Sequence, residues 1–188
     1  MRYTLSLTIL ALVFGIAAVP AGAQTSGMSD SDYIAKVKTA APANVVQGAH
    51  IVQMQADGSM KTIQGGTNGF TCMVLPPSEA MCADQNAMVW AKAMMSKSTP
   101  PDSVGFVYML GGDNGASNTD PWAKAQTSDN HWVTTGPHVM ITGPSVKTMG
   151  YPMAADADPT KPYVMWPDTP YAHLMIPVSS LTASTPPQ

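Results

Sequence analysis

Short apolar runs separated by turn signals constrain the fold of this chain more than any other feature of its sequence. Three such runs follow one another at 49–55, 60–64 and 70–75. Asp57-Gly58 separates the first two runs and is a strong hairpin signal, and Asn68-Gly69 precedes the third. The runs have five to seven residues, which is a usual length for a strand. We therefore predict an antiparallel meander here.

One longer segment interrupts the strands. Pro76-Pro77 ends the third run, and from Ser78 to Ser98 the residues Met81, Met88 and Met94 recur at roughly helical spacing. The pattern predicts the main helix of the protein over 78–98. Cys82 and Glu79, the only glutamate, are then expected near the start of this helix, where a carboxylate suits the helix dipole.

The strand-like runs resume after this segment, among loops rich in Gly, Pro and Asp. They lie at 104–110, 131–133, 137–142, 163–166 and 172–178. Strands together with one main helix predict a single α+β domain over 24–178. We expect a mostly antiparallel sheet of about five to seven strands, with the helix packed on one face and a loop-rich C-terminal half.

The N-terminal segment, residues 1–23, has the pattern of a secretory signal peptide. Arg2 is followed by an apolar stretch, and Ala21-Gly22-Ala23 matches a cleavage site. No later stretch is apolar and long enough to cross a bilayer, so no integral membrane span is expected. We predict a periplasmic or secreted protein, with a flexible C-terminal tail at 179–188.

The charge balance argues against nucleic acid as a partner. The chain has nine basic and twelve acidic residues, and its single arginine is Arg2 in the segment predicted to be removed. Arginine is the preferred residue for phosphate recognition, and an acidic protein repels a polyanion. A partner protein remains compatible with this composition.

Cys72 and Cys82 are the only cysteines. In an oxidising compartment, two cysteines usually form a disulfide, and this pair would close a loop of about eleven residues. The alternative is a pair of free thiols that binds metal or cycles between redox states, although the spacing is not that of a C-x-x-C motif.

The chain contains fifteen methionines, and two of them belong to a repeated tetrapeptide, His-x-Met-Ile. The copies are His138-Val139-Met140-Ile141 and His173-Leu174-Met175-Ile176. In a strand, residues i and i+2 share a face, so each copy pairs an imidazole with a thioether. Imidazole and thioether suit copper, above all Cu(I). We predict a copper site formed by His138, Met140, His173 and Met175, with His50 or His131 auxiliary.

These pairs resemble part of the ligand set of His/Met periplasmic copper chaperones, which combine an adjacent His-Met with a later His-x-Met. This chain has two His-x-Met pairs and no adjacent His-Met. The resemblance implies a ligand chemistry and no fold. The alternative interpretation is packing, because a methionine-rich chain produces His-x-Met by chance and methionine fills a core as leucine does.

A second candidate site is a loop dense in oxygen donors that follows the predicted strand at 104–110. Its donors are Asp113, Asn114, Ser117, Asn118 and Asp120. Such side chains suit Ca²⁺, although the spacing is not that of an EF-hand. The alternative is an ordered turn held by Asx and Ser hydrogen bonds.

Two further hypotheses concern other classes of function. Several Trp and Tyr residues of the C-terminal half would, if exposed, make an interaction module for a protein, peptide or glycan; they are Trp122, Trp132, Tyr151, Tyr163, Trp166 and Tyr171. An uncharacterised hydrolase is the third hypothesis, because Ser117, a histidine and Asp113 or Asp120 can be drawn as a triad. No strong catalytic motif is present, so we expect a non-enzymatic protein.

Overall fold

The computed structural model describes residues 28–178, so the predicted signal peptide at 1–23 and tail at 179–188 lie outside the described residues. In chain order the elements are α1 (Asp30–Val37), α2 (Ala43–Gly48), β1 (His50–Met54), β2 (Met60–Gln64), β3 (Phe70–Leu75), β4 (Glu79–Asp84), α3 (Gln85–Met95), β5 (Gly105–Met109), β6 (Ala116–Ser117), β7 (Trp132–Val133), β8 (His138–Thr142), a 3-10 helix (Pro144–Thr148), β9 (Tyr163–Met165) and β10 (His173–Pro177).

Eight of these strands form one sheet in the order β2-β1-β3-β4-β5-β8-β10-β9, and β6 and β7 form a separate pair. All neighbours are antiparallel except β1 and β3, which run parallel. The prediction of an α+β domain with a mostly antiparallel sheet is therefore confirmed. The predicted strand number was too low, because the main sheet has eight strands.

The predicted meander was wrong in the order of its three strands. The third strand, β3, pairs with β1 and not with β2, so the chain crosses from one side of β1 to the other. Gly66 lies on this crossing, where a Cβ atom would be 2.1 Å from the carbonyl carbon of Ala49. The absent side chain lets the connection pass close to the start of β1.

The predicted helix over 78–98 was also wrong in its first third. Residues Glu79–Asp84 form β4, between β3 and β5, and the helix begins at Gln85. Asp84 caps this helix, since its carboxylate accepts a hydrogen bond from Ala87 N at 2.8 Å. Glu79 serves no helix dipole; it accepts a hydrogen bond from Asn114 N at 2.7 Å.

The sheet carries a different layer on each face because alternate residues of a strand point to opposite sides. Tyr33 and Val37 of α1 pack with Val74 and both cysteines on one face. The other face holds a methionine-rich core against α3, whose side chains there include Ala87 and Met88. The main helix thus covers the face that contains Met73, Met81, Met109 and Met140.

The predicted disulfide is confirmed. Cys72 and Cys82 are directly opposite each other on β3 and β4, with an S–S distance of 2.04 Å, and both are fully buried. Disulfides of this kind are typical of proteins in oxidising compartments. None of the helices between residues 28 and 178 has the length and apolar character that a membrane crossing requires.

Gly105 sets how closely α3 approaches the sheet. A Cβ atom at Gly105 would be 2.3 Å from Ala87 N and 2.6 Å from the side-chain oxygen of Thr142. We expect Gly105→Ala to lower the free energy of unfolding by about 1–3 kcal/mol, because the helix must move outward. Urea denaturation would measure this. Gly65→Ala is the control, since nothing lies within 4 Å of its Cβ position; equal midpoints for both variants would contradict the argument.

Candidate metal centre

The four strands at one end of the sheet, β5, β8, β10 and β9, align histidines and methionines in three rows on the face covered by α3. Residues directly opposite in an antiparallel pair share a face, and so do residues two apart in one strand. The first row is Met109, His138 and Pro177; the second is Val107, Met140, Met175 and Tyr163; the third is Gly105, Thr142, His173 and Met165.

The rows show which predicted ligands the fold brings together. His138 and Met140 share a face, His173 and Met175 share the same face, and the two methionines are direct partners. The two histidines lie at opposite ends of the strand pair, four residues apart in register. At about 3.3 Å per residue this separates them by roughly 13 Å along the strands.

His138 is held in one tautomer by the backbone. Its Nδ1 lies 2.7 Å from the carbonyl oxygen of Gly136. A carbonyl oxygen only accepts hydrogen bonds, so Nδ1 carries the hydrogen and Nε2 presents a lone pair. His138 is fully buried, and among residues 28–178 its Nε2 has no hydrogen-bond partner. Burial lowers the pKa of His138, against the opposing effects of the Gly136 carbonyl and the charge of Asp113.

His173 repeats this local arrangement. Its Nδ1 lies 3.2 Å from the carbonyl oxygen of Tyr171, which is again the residue two positions earlier. The ring packs edge-on against Trp90 and Trp166, with centroid separations of 5.2 and 4.7 Å. Burial lowers the pKa of His173 to about 4, so the imidazole is neutral at pH 7.

Two methionines that the sequence did not single out complete the rows. Met109 is opposite His138, and Met165 is opposite His173. Both are buried, as is Met175, whereas Met140 is only partly buried. Each new methionine lies on a run predicted to be a strand, but its neighbour across the sheet depends on a strand register that the sequence does not contain.

A half-buried carboxylate gives the first row a negative neighbour. Asp113 accepts hydrogen bonds from Thr135 N at 2.8 Å and from Gly115 N at 3.0 Å. Burial raises the pKa of Asp113, and its charge acts on His138 and on Tyr163. Burial also raises the pKa of Glu79, with a smaller contribution from Asp113. Tyr163 shares a hydrogen bond of 2.8 Å with Thr135 Oγ1.

Most polar groups of the predicted oxygen-donor loop form hydrogen bonds within the protein, although the buried Oδ1 of Asn118 has no partner among residues 28–178. Ser117 Oγ donates to Asn130 O at 2.6 Å and accepts from Asp120 N at 2.8 Å. Asn118 is fully buried and donates to the carbonyls of Ala154 and Ala155, whereas Asn114 is exposed. Asp120 accepts from Trp122 N at 2.9 Å. These bonds match the ordered-turn interpretation, and the calcium hypothesis stays a prediction.

The auxiliary histidines lie elsewhere. His50 is on β1, four strand spacings or roughly 19 Å from β8, and its Nε2 lies 3.2 Å from Thr62 Oγ1. His131 Nδ1 lies 2.7 Å from Asp156 Oδ1 on the surface. The structure therefore gives both histidines other neighbours.

Three of the six C-terminal aromatic residues are buried, two are exposed, and Trp132 is intermediate. Tyr163, Trp166 and Tyr171 are buried, and Trp166 stacks on Trp90 with a centroid separation of 6.2 Å. Trp122 and Tyr151 are exposed, at 40% and 39% of their surface. The interaction-module hypothesis stays a prediction that depends on these two exposed rings.

No family model, curated protein or solved structure matches this chain. Between residues 28 and 178 no group of three or more His, Cys, Asp or Glu is placed to hold a metal ion. A centre at either end of the rows described above would contain one histidine and otherwise thioethers, a ligand set of a different chemical kind.

Proposed function

We propose that this chain is an exported protein that binds Cu(I), with His138 as the nitrogen ligand and Met109 and Met140 as sulfur ligands. The observation that carries the proposal is the fully buried Nε2 of His138, which has no hydrogen-bond partner within residues 28–178. An unpaired buried acceptor costs about 1–3 kcal/mol. A bound ion would supply the missing partner.

The neighbours of this nitrogen indicate which ion. Met109 is beside His138 on the next strand, and Met140 follows two residues later on the same face. Thioethers are soft ligands that suit Cu(I). Zinc prefers thiolate, imidazole and carboxylate and would gain little from methionine.

Two surrounding features favour the bound cation. The Nδ1 hydrogen bond to Gly136 fixes the ring orientation in the way that outer-shell carbonyls orient metal-binding histidines. The Asp113 carboxylate places negative charge near the site.

Export completes the proposal. The signal-peptide pattern at 1–23 predicts passage across a membrane. The Cys72–Cys82 disulfide suits the oxidising compartment that such a protein would enter. We infer a role in holding copper outside the cytoplasm, in the periplasm or beyond it.

The test is anaerobic competition for Cu(I) against the chelator bathocuproine disulfonate. We expect His138→Asn to weaken Cu(I) binding at this site by at least about 100-fold. Asparagine places its amide nitrogen where the imidazole has Nδ1, so the donor to Gly136 is kept while Nε2 is removed. His131→Asn removes a surface imidazole and is the matched control, which should bind as the wild type does. Wild-type Cu(I) affinity in the His138 variant would overturn the proposal.

A further inference from the structure

We infer that the rows hold two Cu(I) ions, the second bound by His173, Met165 and Met175. This inference rests on the proposed function and extends it to a second centre. The third row places His173 directly opposite Met165, as the first row places His138 opposite Met109. Each histidine is also followed by a methionine two residues later, on the same face.

The two sets are related by an approximate two-fold axis between Met140 and Met175. These residues are direct partners at the centre of the strand pair. Each histidine lies two residues before its own central methionine, and the two strands run in opposite directions. The axis therefore exchanges His138, Met140 and Met109 with His173, Met175 and Met165.

A single shared ion would fit this geometry poorly. Metal–nitrogen bonds are about 2 Å long, so two nitrogens on one ion lie at most about 4 Å apart. The histidines are separated by roughly 13 Å along the strands. Each ring is also tied through Nδ1 to the residue two positions before it, at the outer end of its strand. These anchors keep the two rings apart.

In the second centre, the tautomer of His173 already leaves Nε2 available to bind a metal ion. His173 is 2% exposed, and the hydrogen bond from Nδ1 to Tyr171 leaves Nε2 with its lone pair. Met165 and Met175 are 3% and 2% exposed and belong to one cluster with Trp90 and Trp166. The side chains that surround this centre carry no charge, whereas the His138 centre is close to Asp113. We expect the two centres to differ in affinity for this reason.

The experiment is native mass spectrometry of the mature chain after anaerobic loading with excess Cu(I) and removal of loosely bound metal. Wild type is expected to carry two ions, His138→Asn and His173→Asn one each, and the double variant none. Met165→Leu is the sharper test, because it removes one of the two thioether ligands of the second centre while keeping the side-chain volume; it should carry one ion. Met81→Leu, a buried methionine on the same sheet face but on β4, is the matched control and should keep two.

The outcomes separate the two claims. One ion in the wild type, lost with His138→Asn and kept in Met165→Leu, would overturn the second centre and leave the proposed function intact. No ion in the wild type would overturn both. Two ions in both the His173 and the Met165 variants would place the second ion elsewhere and so overturn this inference. Near-ultraviolet circular dichroism of each metal-free variant establishes that it is folded, so that a lost ion reports a lost ligand.

Discussion

Replacing Tyr33 with phenylalanine is expected to lower the free energy of unfolding by about 2–4 kcal/mol. The Tyr33 hydroxyl donates to the carbonyl of Val52 at 2.8 Å and accepts from Val74 N at 2.9 Å. It thereby joins α1 to β1 and β3 from a fully buried position. The variant leaves a buried carbonyl and a buried N–H unpaired at once, and each loss costs about 1–3 kcal/mol.

Urea denaturation at pH 7 measures this loss. Tyr171→Phe is the matched control, because it removes a single hydrogen bond, at 2.9 Å, to the carbonyl of the exposed residue Ser98. Water can satisfy that carbonyl, so we expect a change below about 1.5 kcal/mol. A Tyr33 variant no less stable than the Tyr171 variant would show that the hydroxyl is not a structural link.

The strands that could be predicted are those whose ends carry a local signal. Asp57-Gly58 lies at the hairpin between β1 and β2, and Gly58 has a φ of +83°, which a residue without a side chain adopts easily. Asn68-Gly69 likewise precedes β3, with Gly69 at +84°. Turn residues act over a few positions and are readable in the sequence. The crossing of β1 at Gly66 depends on packing between distant residues and therefore cannot be read from the sequence.

The missed strand β4 shows where local preference fails. Glu-Ala-Met-Cys-Ala-Asp is composed largely of good helix formers, and it runs directly into α3. Pairing with β3 and β5 on both sides makes it a strand, because tertiary contacts override weak intrinsic preferences. Asp84 was the available signal, since an aspartate three residues before Ala87 is a typical N-cap.

The candidate metal centre also has one part that the sequence predicts and another that it does not. The period of two residues in a strand correctly predicts that His138 and Met140 share a face, as do His173 and Met175. Which methionines lie across from each histidine follows from register alone. Met109 and Met165 therefore became visible only in the folded chain.

The two possible roles of the methionines, packing and metal binding, predict different effects of replacing them with leucine. If the thioethers only fill space, leucine should replace them at a cost below about 1.5 kcal/mol and with no effect on copper. If they are ligands, the same substitution keeps the fold and removes one sulfur from the ion. Met165→Leu and Met81→Leu therefore differ in copper content and not in stability, since both residues are buried on the same sheet face.

Acid is expected to destabilise the metal-free protein through His173. Burial lowers the pKa of His173 from 6.5 to about 4. Between these two pH values, His173 therefore binds a proton more readily in the unfolded chain than in the folded chain. Stability from this group is fully present above pH 6.5 and is lost as the pH falls towards 4. The shift corresponds to about 3 kcal/mol at 1.36 kcal/mol per pH unit.

His173→Asn removes this titration and keeps a donor towards Tyr171, so the variant isolates the effect. Between pH 7 and pH 4, wild type should lose about 3 kcal/mol more stability than the variant in urea denaturation with a copper chelator present. His138 acts in the same direction, because burial also lowers its pKa. The raised pKa values of Asp113 and Glu79 act in the opposite direction, since the folded state then holds their protons more readily. His138, Asp113 and Glu79 are present in both proteins, so the difference between the two curves of stability against pH belongs to His173. Parallel curves would show that the imidazole of His173 is not held neutral by burial.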